Sequence, residues 1–220
     1  MNSSTSLRLF GATYSVYTRI ARLALLEKSV PFEFVSFDIY DPGTFPDGYA
    51  DLHPFRKIPA LQHGEVALHE TQAITRYVDR ALDGPALQPS DPVAAGWCDC
   101  AVAMSDAYGF SALIKGVYVE RISKPARGQA CDESMVAASL DIADKYLRRL
   151  NEGRGNREWL AADYVTLADI HSYPMIRYFW LEADGRKLIE KHPRIYEWMT
   201  RFCERQSARE TLPPAESAAE

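Results

Sequence analysis

Apolar positions Val16, Ile20, Leu23 and Ala24 recur at three- and four-residue spacing, with Glu27 as the one polar member of that face. The pattern predicts a helix that starts near Ser15 and buries one side. Leu7 to Phe10, ahead of the loop Gly11-Ala12-Thr13-Tyr14, reads as a short strand, and Pro31 to Phe37, rich in β-branched and aromatic residues, as a second. A strand-helix-strand unit of this kind makes its two strands parallel. Asp41-Pro42-Gly43 and Pro46-Asp47-Gly48 then mark an irregular loop up to about Leu52. Two short strands, 58–62 and 65–68, flank a tight turn at His63-Gly64, and a helix over 71–82 follows. The expected first domain, residues 1–84, is therefore a mixed four-stranded sheet with helices packed on it.

Asp83-Gly84-Pro85 through Pro89-Ser90-Asp91-Pro92 is the one dense cluster of turn residues and prolines, and it marks the domain boundary. Beyond it the period is helical almost throughout: about 91–119, 131–150, 166–181 and 193–205. Residues 91–212 are thus expected to form an all-helical domain. Thr166-Leu167-Ala168-Asp169 is a capping box in which hydroxyl and carboxylate each take an orphan backbone N–H, a structural role without catalysis. Two prolines followed by small and acidic residues make 213–220 look like a disordered tail.

Composition narrows the function. The 220 residues are 47% hydrophobic and carry a formal charge of -5 without a lysine or arginine run, which argues against nucleic acid and acidic membranes as main partners. No stretch approaches the ~18 apolar residues of a membrane span and no basic start precedes an apolar run, so cytoplasmic residence is expected. Cys98, Cys100, Cys131 and Cys203 show neither zinc spacing nor a Cys-x-x-Cys pair, which suits reduced thiols. No metal is implied.

The candidate chemistry lies in Pro54-Phe55-Arg56-Lys57-Ile58-Pro59-Ala60-Leu61 and, nine residues later, Glu70-Thr71. A cis bond before Pro59 would leave the Ile58 backbone N–H and C=O to pair with an extended peptide. The Thr71 hydroxyl and the N–H groups opening the next helix suit a carboxylate, and Glu70 suits an ammonium group. A γ-glutamyl group carries both charges on one α-carbon.

With these residues the chain resembles the glutathione transferase family over nearly its whole length. The resemblance implies a thioredoxin-like N-terminal domain that binds glutathione and a helical C-terminal domain that supplies the second substrate pocket. It makes Pro59 the family's cis-proline, Ile58 the backbone partner of the cysteinyl unit, and Glu70 and Thr71 the γ-glutamyl clamp. Gly11-Ala12-Thr13-Tyr14-Ser15 with Thr18-Arg19 is similar to the Gly-x-x-x-Ser pattern of serine-type, phi-like members, and makes Ser15 the thiolate-stabilising donor. The same position also suits a plain helix N-cap. Tyr14 and Tyr17 are rival donors, and Thr13 and Thr18 weaker ones. Tyr14 is otherwise a wall of the second pocket, and Tyr17 packs or faces a subunit interface.

Lys57 is placed to reach the glycine carboxylate of glutathione. His53 stands where an asparagine is common, Arg56 where a glycine is, and the phi-type Glu-His-Lys segment is absent, so the glycine end departs from the family pattern. Phe55 either keys into the helices of a two-fold partner, near Asp79 or Arg76, or packs in its own core. Tyr108, Ala112 and Lys115 share a helical face and, with Tyr178, are candidates for lining a second pocket between the domains. The expected activity is transfer of the glutathione thiol to a hydrophobic electrophile by a cytosolic, bacterial-type homodimer active in detoxification. Isomerisation, peroxide reduction, ether or halide cleavage, or a non-catalytic binding module are the alternatives.

Overall fold

The computed structural model describes residues 6–217, which divide into two compact units, the chain passing from the first to the second between Leu87 and Gln88. In the N-terminal unit, β1 (Leu7–Gly11) lies parallel to β2 (Glu33–Ser36) and antiparallel to β3 (Ala60–His63), which pairs with β4 (Val66–His69). The sheet order is β2-β1-β3-β4, the mixed four-stranded sheet expected. Between β1 and β2 runs α1 (Val16–Glu27), whose Val16, Ile20, Leu23 and Ala24 are buried as their spacing predicts. A Cβ on Gly11 would collide with the Thr18 side chain, so the end of β1 approaches α1 as closely as a glycine allows.

The loop after β2 is more ordered than its turn residues suggest. It holds a short 3₁₀ turn at Pro42–Thr44 and α2 (Tyr49–Leu52). Phe10, Phe37, Tyr49 and Ala60 form a buried cluster with Phe45, Leu52 and Ile58 packed against it. Edge-to-face contacts of Tyr49 with Phe37 at 4.8 Å and Phe45 at 5.9 Å fill its centre. Helix α3 (Thr71–Ala81) follows β4. Its Asp79, expected near a neighbouring subunit, is occupied within the chain: Oδ1 accepts from Leu87 N–H at 2.7 Å and Lys28 Nζ stands 3.7 Å away.

The second unit is all-helical. Helix α4 (Pro92–Met104) runs on as α5 (Ser105–Ser123), a continuation with wider π-type turns, and the short α6 (Lys124–Ala126). Helices α7 (Glu133–Arg154), α8 (Leu167–Trp180), α9 (Ala183–Glu190) and α10 (Pro193–Cys203) complete it. Helix α8 is buried on nearly every side. Its capping box forms, with Asp169 Oδ2 accepting from Thr166 N–H at 2.8 Å. Asp169 Oδ1 goes further, accepting from Leu160 N–H and Trp198 Nε1–H at 2.8 Å each.

The chain then returns to the first unit, which corrects two expectations. Residues 206–212 are not part of the helical unit, and 213–217 do not form a tail without structure: α11 (Gln206–Glu210) and α12 (Pro214–Ser217) are helical, and Glu216 is buried. The remainder of the expected tail, 218–220, lies outside the described residues. Prolines and small residues make 213–217 look unstructured, but its glutamate has a buried arginine to pair with, Arg19.

Candidate active site

Ser15 ends the loop after β1 in extended conformation and caps α1, its Oγ accepting from Thr18 N–H at 3.2 Å. Capping uses an oxygen lone pair and leaves the O–H proton available to a second partner. The two roles that compete for this residue in the sequence are therefore compatible. The positive end of the α1 dipole lies at the same point, where it favours an anion.

The rival hydroxyls are placed less well. The Tyr14 phenol donates to Asp38 Oδ1 at 2.7 Å, and its ring stacks on Tyr40 at 6.1 Å. Partial burial, then the bond to Asp38, push its pKa well above that of an ordinary phenol, so its proton is held by a carboxylate. Thr18 is fully buried and its Oγ1 makes no hydrogen bond, while Thr13 is exposed.

The Ile58–Pro59 peptide bond is cis. Ile58 precedes the β3 ladder, whose pairing with β1 begins at Ala60, and so its backbone lies outside the sheet. Tyr49 holds this turn in place through its hydroxyl, which donates to the Lys57 carbonyl at 2.5 Å. Sequence reasoning missed this residue, because the loop containing it reads as irregular; its signal is the Phe37, Phe45, Tyr49 series of aromatics. Lys57 is exposed.

Glu70 precedes α3 with φ 68° and ψ 116°, a left-handed backbone conformation for a residue with a side chain, which costs about 1–3 kcal/mol. In that conformation it makes no side-chain hydrogen bond to the first turn of α3, and no acidic residue stands in that turn. Glu70 is exposed and Thr71 is buried at the first helical position. The arrangement leaves an anion-seeking helix start next to a projecting carboxylate, as recognition of a zwitterion requires.

His53 is buried, 4.8 Å from the His69 ring and edge-on to Phe55 at 6.3 Å. Burial and then the neighbouring His69 lower its pKa, and its Nδ1 has no hydrogen-bond partner. Phe55 is 70% exposed, which removes the expectation that it packs in its own core.

In the helical unit the expected pocket residues separate. Tyr108 lines a cavity of about 380 Å³ with Met104, Ile142, Lys145, Tyr146 and Arg149. Ala112 is 1% exposed, and Tyr178 is buried with its ring edge-on to Tyr118 at 4.7 Å. Lys115 is exposed and lies 5.5 Å over the Phe110 ring. Three- and four-residue spacing places side chains on one face of an α-helix, whereas the wider turns of α5 do not keep that register. Among the described residues, no three His, Cys, Asp or Glu side chains are grouped as metal ligands, and no helix is long and apolar enough to cross a membrane.

Comparison with known proteins agrees with this layout. Residues 9–86 match the glutathione S-transferase N-terminal domain and residues 110–206 the glutathione S-transferase C-terminal domain. Glutathione S-transferase F7 of Arabidopsis thaliana is 30% identical over 94% of this chain and 99% of its own. A solved glutathione S-transferase III in apo form superposes with a TM-score of 0.81 at 25% identity, covering 95% of this chain and 97% of its own. Glutathione S-transferase I from mais, in complex with an atrazine glutathione conjugate, superposes at 0.80 with 21% identity over 98% and 100% of the two chains. With a thioredoxin-like unit that carries a serine-capped first helix, a helical second unit, and family matches over both, this chain belongs to the glutathione S-transferase family and is a glutathione transferase.

Proposed function

We propose that Ser15 activates the thiol of glutathione, that Ile58 pairs with its cysteinyl backbone next to Pro59, that Glu70 and Thr71 hold its γ-glutamyl group, and that Lys57 meets its glycine carboxylate. The observation that carries the reading is Ser15 itself: its oxygen accepts from the start of α1, a role that leaves the donor capacity of a hydroxyl to a ligand. A free thiol has a pKa of ~8.5, and each unit of lowering needs about 1.4 kcal/mol of preference for the thiolate. A hydroxyl donor at a helix N-terminus supplies such preference. The thiolate then attacks a hydrophobic electrophile.

Ultraviolet titration of the protein-glutathione complex reads the thiolate of the bound tripeptide. A midpoint well below that of free glutathione is expected. Ser15→Ala should raise it and cut turnover by about 10–100-fold, the equivalent of one hydrogen bond to a charged group, while glutathione affinity changes less than threefold. An unmoved midpoint in Ser15→Ala would return this residue to a simple cap. Assays with isomerase, peroxide and ether or halide substrates distinguish the alternative chemistries of the same thiolate.

The reading extends to a cytoplasmic homodimer that detoxifies electrophiles, with Phe55 inserting into helices of a second copy. Its support is the exposed Phe55 ring and, on the helical unit, the apolar cavity at Met104, Tyr108 and Ile142. Tyr108 then serves that interface; Tyr14, Ala112, Lys115 and Tyr178 are kept as candidates for contact with the electrophile. Sedimentation velocity of Phe55→Asp should show a monomer, and an intact dimer would exclude the key.

A further inference from the structure

The segment that returns to the N-terminal unit is tied along α1 by polar side chains. The Arg22 guanidinium donates to the Glu210 carbonyl at 2.8 Å, and the Ser207 hydroxyl donates to the Glu27 carboxylate. Arg19 makes the most contacts, with Glu216 Oε1 at 2.5 Å, Thr211 Oγ1 at 3.4 Å and the Ala208 carbonyl at 3.4 Å. The Arg19 and Glu216 side chains are 1% and 0% exposed.

Arg19 lies one turn after Ser15 on the same side of the helix, and its backbone N–H closes the first turn of α1 on the Ser15 carbonyl at 2.9 Å. A buried guanidinium that loses its carboxylate is left with an uncompensated charge. It must then move toward water or draw water in, and the turn that carries it moves with it. We propose that Glu216 is a positioning residue for the reaction: through Arg19 it fixes the first turn of α1 and with it the Ser15 hydroxyl. The proposal rests on the assignment of Ser15 as thiol-activating donor. It makes 206–217 a working part of the glutathione-binding unit.

The test is Glu216→Gln in the full chain, with two readouts. Hydrogen exchange at the Thr18 and Arg19 amides should accelerate by about tenfold or more, because these bonds report local opening of the turn. Turnover with glutathione and an aryl halide should fall, by up to about a hundredfold for a displacement near 1 Å, and its pH midpoint should rise. KM for glutathione should stay within about threefold, since uniform binding by Glu70 and Thr71 on another element is untouched. Glu216→Asp should recover part of both effects, and it carries the same readouts if Glu216→Gln does not fold. A folded Glu216→Gln protein with wild-type exchange and an unmoved pH midpoint overturns the proposal. Accelerated exchange together with wild-type turnover in Ser15→Ala would instead overturn the Ser15 assignment and with it the catalytic half, while leaving the tie between Glu216 and the turn standing.

Discussion

Replacing Thr71 with valine isolates one hydroxyl. The residue is buried at the first position of α3. Valine has nearly the same shape, and the Glu70 side chain provides no cap to lose, so folding stability should change by less than about 1 kcal/mol. Binding should change much more. A hydrogen bond to a charged group contributes about 1.5–3 kcal/mol, and each 1.4 kcal/mol is a factor of about ten in affinity. Glutathione affinity should therefore fall by about 10–150-fold, measured by titration calorimetry on the resting protein. An analogue lacking the γ-glutamyl α-carboxylate provides the control: it should bind weakly to wild type, and Thr71→Val should weaken it no further. Glu70→Gln should behave in the complementary way toward an analogue lacking the α-amino group. If Thr71→Val binds glutathione within twofold of wild type, the carboxylate does not sit at the start of α3 and the clamp is elsewhere.

Two further outcomes concern the framework of the site. Asp169→Ala removes the acceptor of the Leu160 and Thr166 amides, the Thr166 hydroxyl and the Trp198 indole; at about 1–3 kcal/mol for each buried donor left unpaired, and with water replacing some bonds, the loss should be about 3–5 kcal/mol. Scanning calorimetry should show a drop of roughly 10 °C, and a drop below about 3 °C would mean that the network is not under load. His53 is buried with its pKa lowered from 6.5, so between that value and its lower folded pKa the unfolded chain binds the extra proton. Its contribution to stability is whole above pH 6.5 and is lost as pH falls toward the folded pKa; urea midpoints of His53→Asn against pH should lack that component, and a slope equal to wild type would rule it out.

Much of the molecule is legible in one dimension because the determining forces are local. The apolar face of α1, the alternation and turn at His63-Gly64, and the Thr166 to Asp169 box each depend on residues within a few positions of one another. The residue types of the candidate site are legible for the same reason: a helix start needs a cap, and a zwitterion needs an acid beside a helix N-terminus. Packing across the chain is not local, and two features of the site depended on it. Tyr49 supports the turn at Lys57 because Phe37 and Phe45 make a core for a loop that looks irregular. Ala112 and Tyr178 went to the helical core while Tyr108 and Lys115 remained outside it, because helix register in α5 and contacts with other helices set exposure there.

The sequence by itself determined the four strands and the helices α1 and α3 of the first unit, the helical character of the second, and the family resemblance carried by Pro59, Glu70 and Thr71. Only the tertiary structure decided that Ser15 Oγ accepts from Thr18 N–H to cap α1, and that the Tyr14 hydroxyl is engaged as a donor to Asp38 Oδ1. It also decided the fate of a polar segment that composition alone assigns to disorder. Charge lowers burial in the absence of a partner, but Arg19 stands 197 positions away from Glu216 and meets it at 2.5 Å, and a paired charge can be buried where an isolated one cannot.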